Sequence, residues 1–295
     1  MKIAIYGRAF GDEYSPYIQK LFDKLVKISA EISVFEPFYE YLSPKINLPE
    51  CGVFKSNGDV RQNDFVFSIG GDGTFLEATA LVRDSEVPIM GINTGRLGFL
   101  SSVGIDETEQ AVDSIVQKKY KLDKRTLLKL ETDNNLFGSE NYALNELTIH
   151  RKDTASMVTI HAYLDGNFLN SYWADGLIVA TPTGSTAYSM SCGGPIVLPG
   201  SGNFVINPVA PHNLTARPIV VPDDSKITLR VEGRSDAFLV SLDSHTETID
   251  SETELSIIKN DFHINLLRLE SHSYLDTIRN KLNWGLDIRE RGKKN

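Results

Sequence analysis

The stretch "DFVFSIGGDGTFLEATALVRD", Asp64 to Asp84, changes backbone type twice within a few residues. The apolar run Phe65–Ile69 reads as a buried strand, and the segment from Thr74 onward reads as a helix. Between them Gly70, Gly71 and Gly73 strip the turn of side chains. In an open α/β sheet such a turn lies at the carboxyl end of a strand, where ligands sit. The helix behind it presents unpaired N–H groups and the positive end of a dipole, which suit phosphate. Yet the first side chain in the turn, Asp72, is an anion. It can brace the turn, hold a divalent metal that bridges phosphates, or accept the proton of a hydroxyl attacking a phosphoryl group. In the bracing case Thr74 and Glu77 would form a Thr-x-x-Glu capping box. The turn lacks the Gly-Lys-Ser/Thr of a Walker loop and the spacing of the dinucleotide fingerprint.

Outward from this turn the pattern repeats. "KIAIY", "EISVFE" and "VPIMGIN" read as further strands. Ser15 and Pro16 open a helix as cap and first position, and Ile18, Leu21, Phe22, Leu25 and Val26 follow at helical spacing. Alternating strands and helices imply a parallel sheet with crossover helices. From about residue 120 the segments "TLLKLET", "ALNELTIHR", "MVTIHAYLDG", "GLIVATPTG", "KITLRVEG", "AFLVSLDS" and "ELSIIKN" are strand-like, with turn residues between them. The expected architecture is an α/β domain over residues 1–103 and a mostly antiparallel β-rich domain over 104–267. The helical segment within 268–295 is expected to pack back on the first.

Of the 295 residues 41% are hydrophobic and 23% charged, ordinary globular values. A net charge of −9 argues against a general nucleic-acid binder, which needs excess Lys and Arg. Anionic ligands stay open, because backbone amides or a metal supply positive potential locally. No apolar run approaches the length of a bilayer span, and "MKIAIYGRAFGDE" reads as a strand rather than a signal peptide. The expectation is a cytoplasmic protein, without nucleic-acid or membrane partners, in which Cys51 and Cys192 are reduced.

Other stretches carry candidate chemistry. "NTGRLGFL", Asn93–Leu100, again follows a strand, and Phe99 is a candidate for stacking on a base, or ordinary core. Asn145 and Glu146 pair an amide with a carboxylate, a combination suited to adenine or ribose. "ADGLIVATPTGSTAYSMSCGGP", Ala174–Pro195, repeats the strand, turn and helix logic, with a helix start expected at Ser185 or Thr186. It reads as a ribose and base cradle rich in hydroxyls, in which Tyr188 can stack. The six histidines show no zinc spacing; His245 is kept as a possible ligand contact.

"GGDGTFL", "NTGRLGFL", "NE", "ADGLI" and "TPTGSTAYSMSCGGP", in this order, with "PHNLTARPIV" after them, resemble the bacterial NAD kinases. The resemblance implies transfer of the γ-phosphoryl of ATP to the 2′-hydroxyl of the adenosine ribose of NAD. It also implies a divalent metal, magnesium by preference, and a homo-oligomer, dimer or tetramer. By motif position Asp72 is the general base, and Gly70, Gly71, Gly73 and Thr74 form the phosphate turn. Asp72, Gly73, Asn145, Glu146, Asp175, Thr186, Ala187, Tyr188, Ser189, Met190 and Ser191 hold NAD, with Ala210 and His245 at outer contacts. The chain departs from the common pattern at Glu77, where many relatives are basic, at Trp173, where many have Arg, and at His245, where Gln is frequent. A lipid kinase of the diacylglycerol or sphingosine type shares the Gly-Gly-Asp-Gly turn, and a non-catalytic NAD-sensing module would share the cradle.

Overall fold

Apolar strands that alternate with one-sided helices build the first of two units in the computed structural model. Residues 1–55, 60–95, 97–152, 157–233 and 237–284 are described. The first unit takes Met1–Asp123 and the chain from Asn265, and the second takes Lys124–Ile264.

In the first unit the order is β1 (Lys2–Gly7), α1 (Ser15–Lys27), β2 (Glu31–Phe35), α2 (Glu36–Leu42), β3 (Gly52–Phe54), β4 (Phe65–Ile69), α3 (Asp72–Val82), β5 (Ile89–Asn93), β6 (Val103–Gly104) and α4 (Thr108–Val116). The strands pair in parallel in the order β5-β4-β1-β2-β3, and β6 lies beside β5. β4 and β5 are buried at every position, as strands covered on both faces must be. α1 turns Ile18, Leu21, Phe22 and Leu25 into the core, but begins at Ser15 after the cap residue Tyr14, so Ser15 is not the cap. α2 and β3 were not legible beforehand; α2 is held by buried Phe38 and Leu42. α4 adds Ala111, Val112 and Ile115 to the same core, which is why this unit runs to Asp123 rather than ending near residue 103. From β1 the chain steps outward to β2 and β3, then returns to β4 on the other side. The reversal between β1 and β4 is a topological switch point, where open sheets bind ligands beyond the carboxyl ends of their strands.

The second unit is built from β7 (Tyr120–Glu131), β8 (Tyr142–Ala143), β9 (Glu146–Arg151), β10 (Val158–Leu164), β11 (Asn167–Ala174), β12 (Gly176–Ala180), α5 (Tyr188–Ser191), β13 (Asn203–Val209), β14 (Ile219–Pro222), β15 (Ile227–Glu232), β16 (Phe238–Leu242), β17 (His245–Ile249) and β18 (Leu255–Leu269). The boundaries of the unit fall inside β7 and β18. One antiparallel sheet runs β14-β13-β12-β9-β16-β17. β11, β10, β15 and β18 pair antiparallel in a second. Inward residues of both, among them Ile160, Leu177, Val179, Phe204, Leu229, Val240 and Ile257, form one core. The opposite face of β12 packs Ile178 and Ala180 against Val205, Val209, Cys192 and Val197. That double coverage explains the unbroken apolar run "LIVA". α6 (Tyr274–Leu282) then closes the chain in the first unit, its cap Ser273 accepting from the Leu275 N–H. Residues beyond Trp284, part of the expected return segment, lie outside the described residues.

Candidate active site

At the switch point the end of β4 runs into α3 through Gly70, whose φ of +153° favours glycine. A Cβ on Gly70 would overlap the Thr74 side chain. Around Gly71 and Gly73, by contrast, a Cβ would meet nothing within 4 Å. One glycine therefore makes the turn, and two leave open space beside backbone N–H groups. Gly73→Ala should then keep or slightly raise stability, by up to about 1 kcal/mol, because alanine suits a helix better than glycine. It should raise the KM for ATP, whereas Gly70→Ala should lower Tm. Melting curves with ATP kinetics check both, and an unchanged KM for Gly73→Ala would leave the turn a purely structural one.

Asp72 opens α3, and three backbone amides converge on its carboxylate. Oδ1 accepts from Leu100 N–H at 3.0 Å and Ser101 N–H at 2.9 Å, and Oδ2 accepts from Phe99 N–H at 2.9 Å. Lys281 Nζ of α6 stands 3.5 Å from Oδ2 and 4.6 Å from the centre of the Phe99 ring. Phe99 itself is 8% exposed and packs against Tyr274, so its ring belongs to the core and offers no open face to a base. No capping box forms: Gly71 is the cap residue of α3, without a side-chain bond. Glu77 instead accepts from Arg8 Nε at 2.7 Å, Arg8 Nη2 at 2.9 Å and Tyr6 Oη at 2.8 Å. Burial pushes this carboxyl up, but the bonds from Arg8 and Tyr6 outweigh it and hold it below the usual range. The acidic departure at position 77 thus comes with its own cation at the end of β1. Lys281 and Arg8 were invisible in sequence, since neither lies near the turn in the chain.

The second unit gathers the other candidates. The segment Leu144–Glu146 enters β9 with its three N–H groups on one carboxylate, that of Asp243, at 2.9, 2.9 and 3.0 Å. Glu146 is partly buried, with Oε2 enclosed and without a hydrogen-bond partner. Burial, and then the charge of Asp243, push its carboxyl up to about 8 against one opposing N–H from Tyr188. The protonated form of Glu146 is thereby favoured well above the ordinary carboxylate range. Between the ordinary value of 4.5 and about 8 the folded chain holds a proton that the unfolded chain has lost. Stability due to this group is complete below that window and falls as pH rises through it. Wild type should accordingly lose Tm relative to Glu146→Gln between the two values, in a melting series across pH. A constant difference would mean that the carboxyl is already ionised.

Asp175 precedes β12 and is paired with a cation: Arg151 Nη2 lies 3.1 Å from its Oδ1. Gly176, opposite His150, leaves room for β9, since a Cβ would overlap the Ile149 carbonyl. The cradle's hydroxyls mostly bind their own backbone. Ser185 Oγ donates to Pro182 O at 2.7 Å, Thr186 Oγ1 to Thr183 O at 3.1 Å, and Thr181 Oγ1 to Leu144 O at 2.5 Å. Thr186 and Ser189 are buried, while Ala187 and Met190 are half-buried and Tyr188 and Ser191 exposed. The helix starts at Tyr188, after a tight turn at Gly184–Thr186. Ala210 is exposed at the end of β13 with φ of +45°. His245 is exposed, with Nε2 3.7 Å from Glu140 Oε2. Trp173 is exposed and its ring lies 4.5 Å from that of His212.

Comparison with known proteins follows the same division. The family model of the ATP-NAD kinase N-terminal domain matches residues 57–120, and that of the ATP-NAD kinase C-terminal domain matches 144–269. An NAD kinase of Cytophaga hutchinsonii is 48% identical over 291 residues, covering 98% of this chain and 100% of that one. The structure of yeast NADH kinase complexed with NADH shares the fold, with a TM-score of 0.86 at 24% identity, covering 98% of this chain and 89% of its own. An NAD kinase from Archaeoglobus fulgidus in complex with ATP gives 0.73 at 26% identity, over 96% and 98% of the two chains.

Proposed function

The chain belongs to the NAD kinase family, and from that footing we propose how its residues divide the reaction. It transfers the γ-phosphoryl of ATP to the 2′-hydroxyl of the adenosine ribose of NAD, giving NADP and ADP. The open space at Gly71 and Gly73, beside an aspartate at the switch point, carries this reading of the site.

A carboxylate offers about four lone-pair positions, and amides occupy three on Asp72. The remaining position, on Oδ2, takes the proton of the 2′-hydroxyl as its oxygen bonds to the γ-phosphorus and the bond to ADP breaks. Phosphoryl transfer asks mostly for positioning and charge stabilisation. We assign the first to Gly70, Gly71, Gly73 and Thr74, and the second to Arg8, beside Glu77, and Lys281, beside Asp72.

NAD is held by Asn145, Glu146, Asp175, Tyr188, Ser191 and their neighbours Ala187 and Met190. Thr186 and Ser189 shape the backbone behind them, and Ala210 and His245 stay outer contacts. Among the described residues no group of three His, Cys, Asp or Glu could hold a metal. The divalent cation, magnesium by preference, would be carried on the substrate phosphates, as Mg²⁺ commonly is, and no step is routed through it. We further propose a cytoplasmic homo-oligomer; no described helix is long and apolar enough to cross a membrane. Sedimentation of the purified protein checks the assembly.

NADP formation from NAD, ATP and magnesium by purified protein tests the reading, with NADH and polyphosphate as further arms. Failure to form NADP, with phosphorylation of diacylglycerol instead, would overturn it. Binding of NAD without turnover would reduce the protein to a sensor.

A further inference from the structure

Asn145 and Glu146 are short of everything except side chain. The amides of Leu144, Asn145 and Glu146 all donate to Asp243. The Leu144 carbonyl accepts from Thr181 Oγ1, and the Asn145 carbonyl from Thr181 N–H at 2.8 Å. The Glu146 carbonyl accepts from Asp243 N–H at 3.0 Å. Two residues thus supply partners for all six backbone polar groups of the segment, which leaves only its side chains to meet a ligand.

Asp243 reaches this place by an unusual route. It sits in the two-residue turn between β16 and β17, where Leu242 pairs with His245, and holds φ at +50°. Aspartate tolerates that left-handed conformation better than most residues. Burial raises the Asp243 carboxyl, but three N–H donors oppose it, whereas Glu146 receives one. Three convergent N–H donors favour the charged form of Asp243 more than a single one favours that of Glu146.

We propose that Asp243 is a positioning residue for NAD binding: by gathering the three amides of Leu144–Glu146 it fixes where the side chains of Asn145 and Glu146 point. This rests on the assignment of those two side chains to NAD. Its negative charge has a second effect, because it faces Glu146. The other groups facing Glu146 are the Tyr188 N–H and phenol and the Cys192 thiol, and His245 faces Asp243 with Glu140 beyond it. NAD presents hydroxyl and amino donors, which an ionised Glu146 accepts on both oxygens and more strongly than a protonated one, whose O–H is itself a donor. The KM for NAD should therefore fall as pH rises toward and past about 8.

Kinetics of wild type, Asp243→Asn, Asp243→Glu and Glu146→Gln across that pH range test the proposal. Asparagine must turn an N–H₂ toward an amide donor, and bonds to a charged acceptor are strong ones. Asp243→Asn should raise the plateau KM for NAD about 10–100-fold, leave that for ATP within about threefold, and move the pH midpoint down. Asp243→Glu, which keeps the charge, should hold the midpoint near that of wild type. A fall in Tm with the NAD and ATP constants moving together, and no movement of the midpoint, would make Asp243 a turn residue only. If Asp243→Asn fails to fold, titration calorimetry of wild type with NAD in buffers of different ionisation enthalpy decides. Proton release near neutral pH supports the charged pair, and its absence overturns it. Should Glu146→Gln itself leave the KM for NAD unchanged, the assignment of Glu146 to NAD fails first. If it raises that KM while Asp243→Asn does nothing, the assignment stands and the role of Asp243 falls.

Discussion

Asp72→Asn is expected to lower kcat by about 10²–10⁴, the range for a lost general base, and to lower Tm at the same time. The second effect follows from the three amides on the carboxylate. An asparagine oxygen can accept at most two of them, and its N–H₂ then faces a donor. An unsatisfied buried N–H costs about 1–3 kcal/mol, and 1 kcal/mol shifts the Tm of a domain of this class by roughly 2–4 °C. Steady-state kinetics and a melting curve on the same preparation separate the two roles. If Tm falls while kcat stays near normal, Asp72 braces the loop and another group takes the proton.

Gly98→Ala should come next in size. A Cβ at this position would run into Asp72 Oδ1, so either the loop or the carboxylate must move. Overpacking of this kind costs about 1–3 kcal/mol. Misplacement of a reacting group by about 1 Å can cost about 10²-fold in rate. A loss of kcat on the order of 10–10² and a Tm several degrees lower are therefore expected. Because the substitution acts through Asp72, the double variant with Asp72→Asn should fall well short of the sum of the two singles. Full additivity would show that Gly98 and Asp72 are not coupled.

The strand, turn and helix around Gly70 were legible because period and glycine placement are local properties. So were the antiparallel runs with clean alternation, such as β10 and β16. Strands that break the pattern were not. β11 mixes Asn and Ser among its apolar residues. β13 contains Pro208, which is tolerated beyond the last residue paired with β14. In the site, residue types were readable and their partners were not. Arg151 meets Asp175, Arg8 meets Glu77 and Lys281 meets Asp72 only because the sheets or the closing helix bring them together. The state of Glu146 depends on a carboxylate nearly a hundred positions away, beyond any local reading.

Asp72 and Asp243 use one device twice, each carrying three consecutive amides of a neighbouring segment. Phe99–Ser101 form no regular element, and such stretches ordinarily trade their amide protons for deuterium quickly. Here each of those protons is released only when a carboxylate swings away, so isotope uptake should be slow and should advance in sets of three. Deuterium labelling would then show a protected island at Phe99–Ser101, outside any ladder. Replacing one aspartate would unmask its own triplet and leave the other dark.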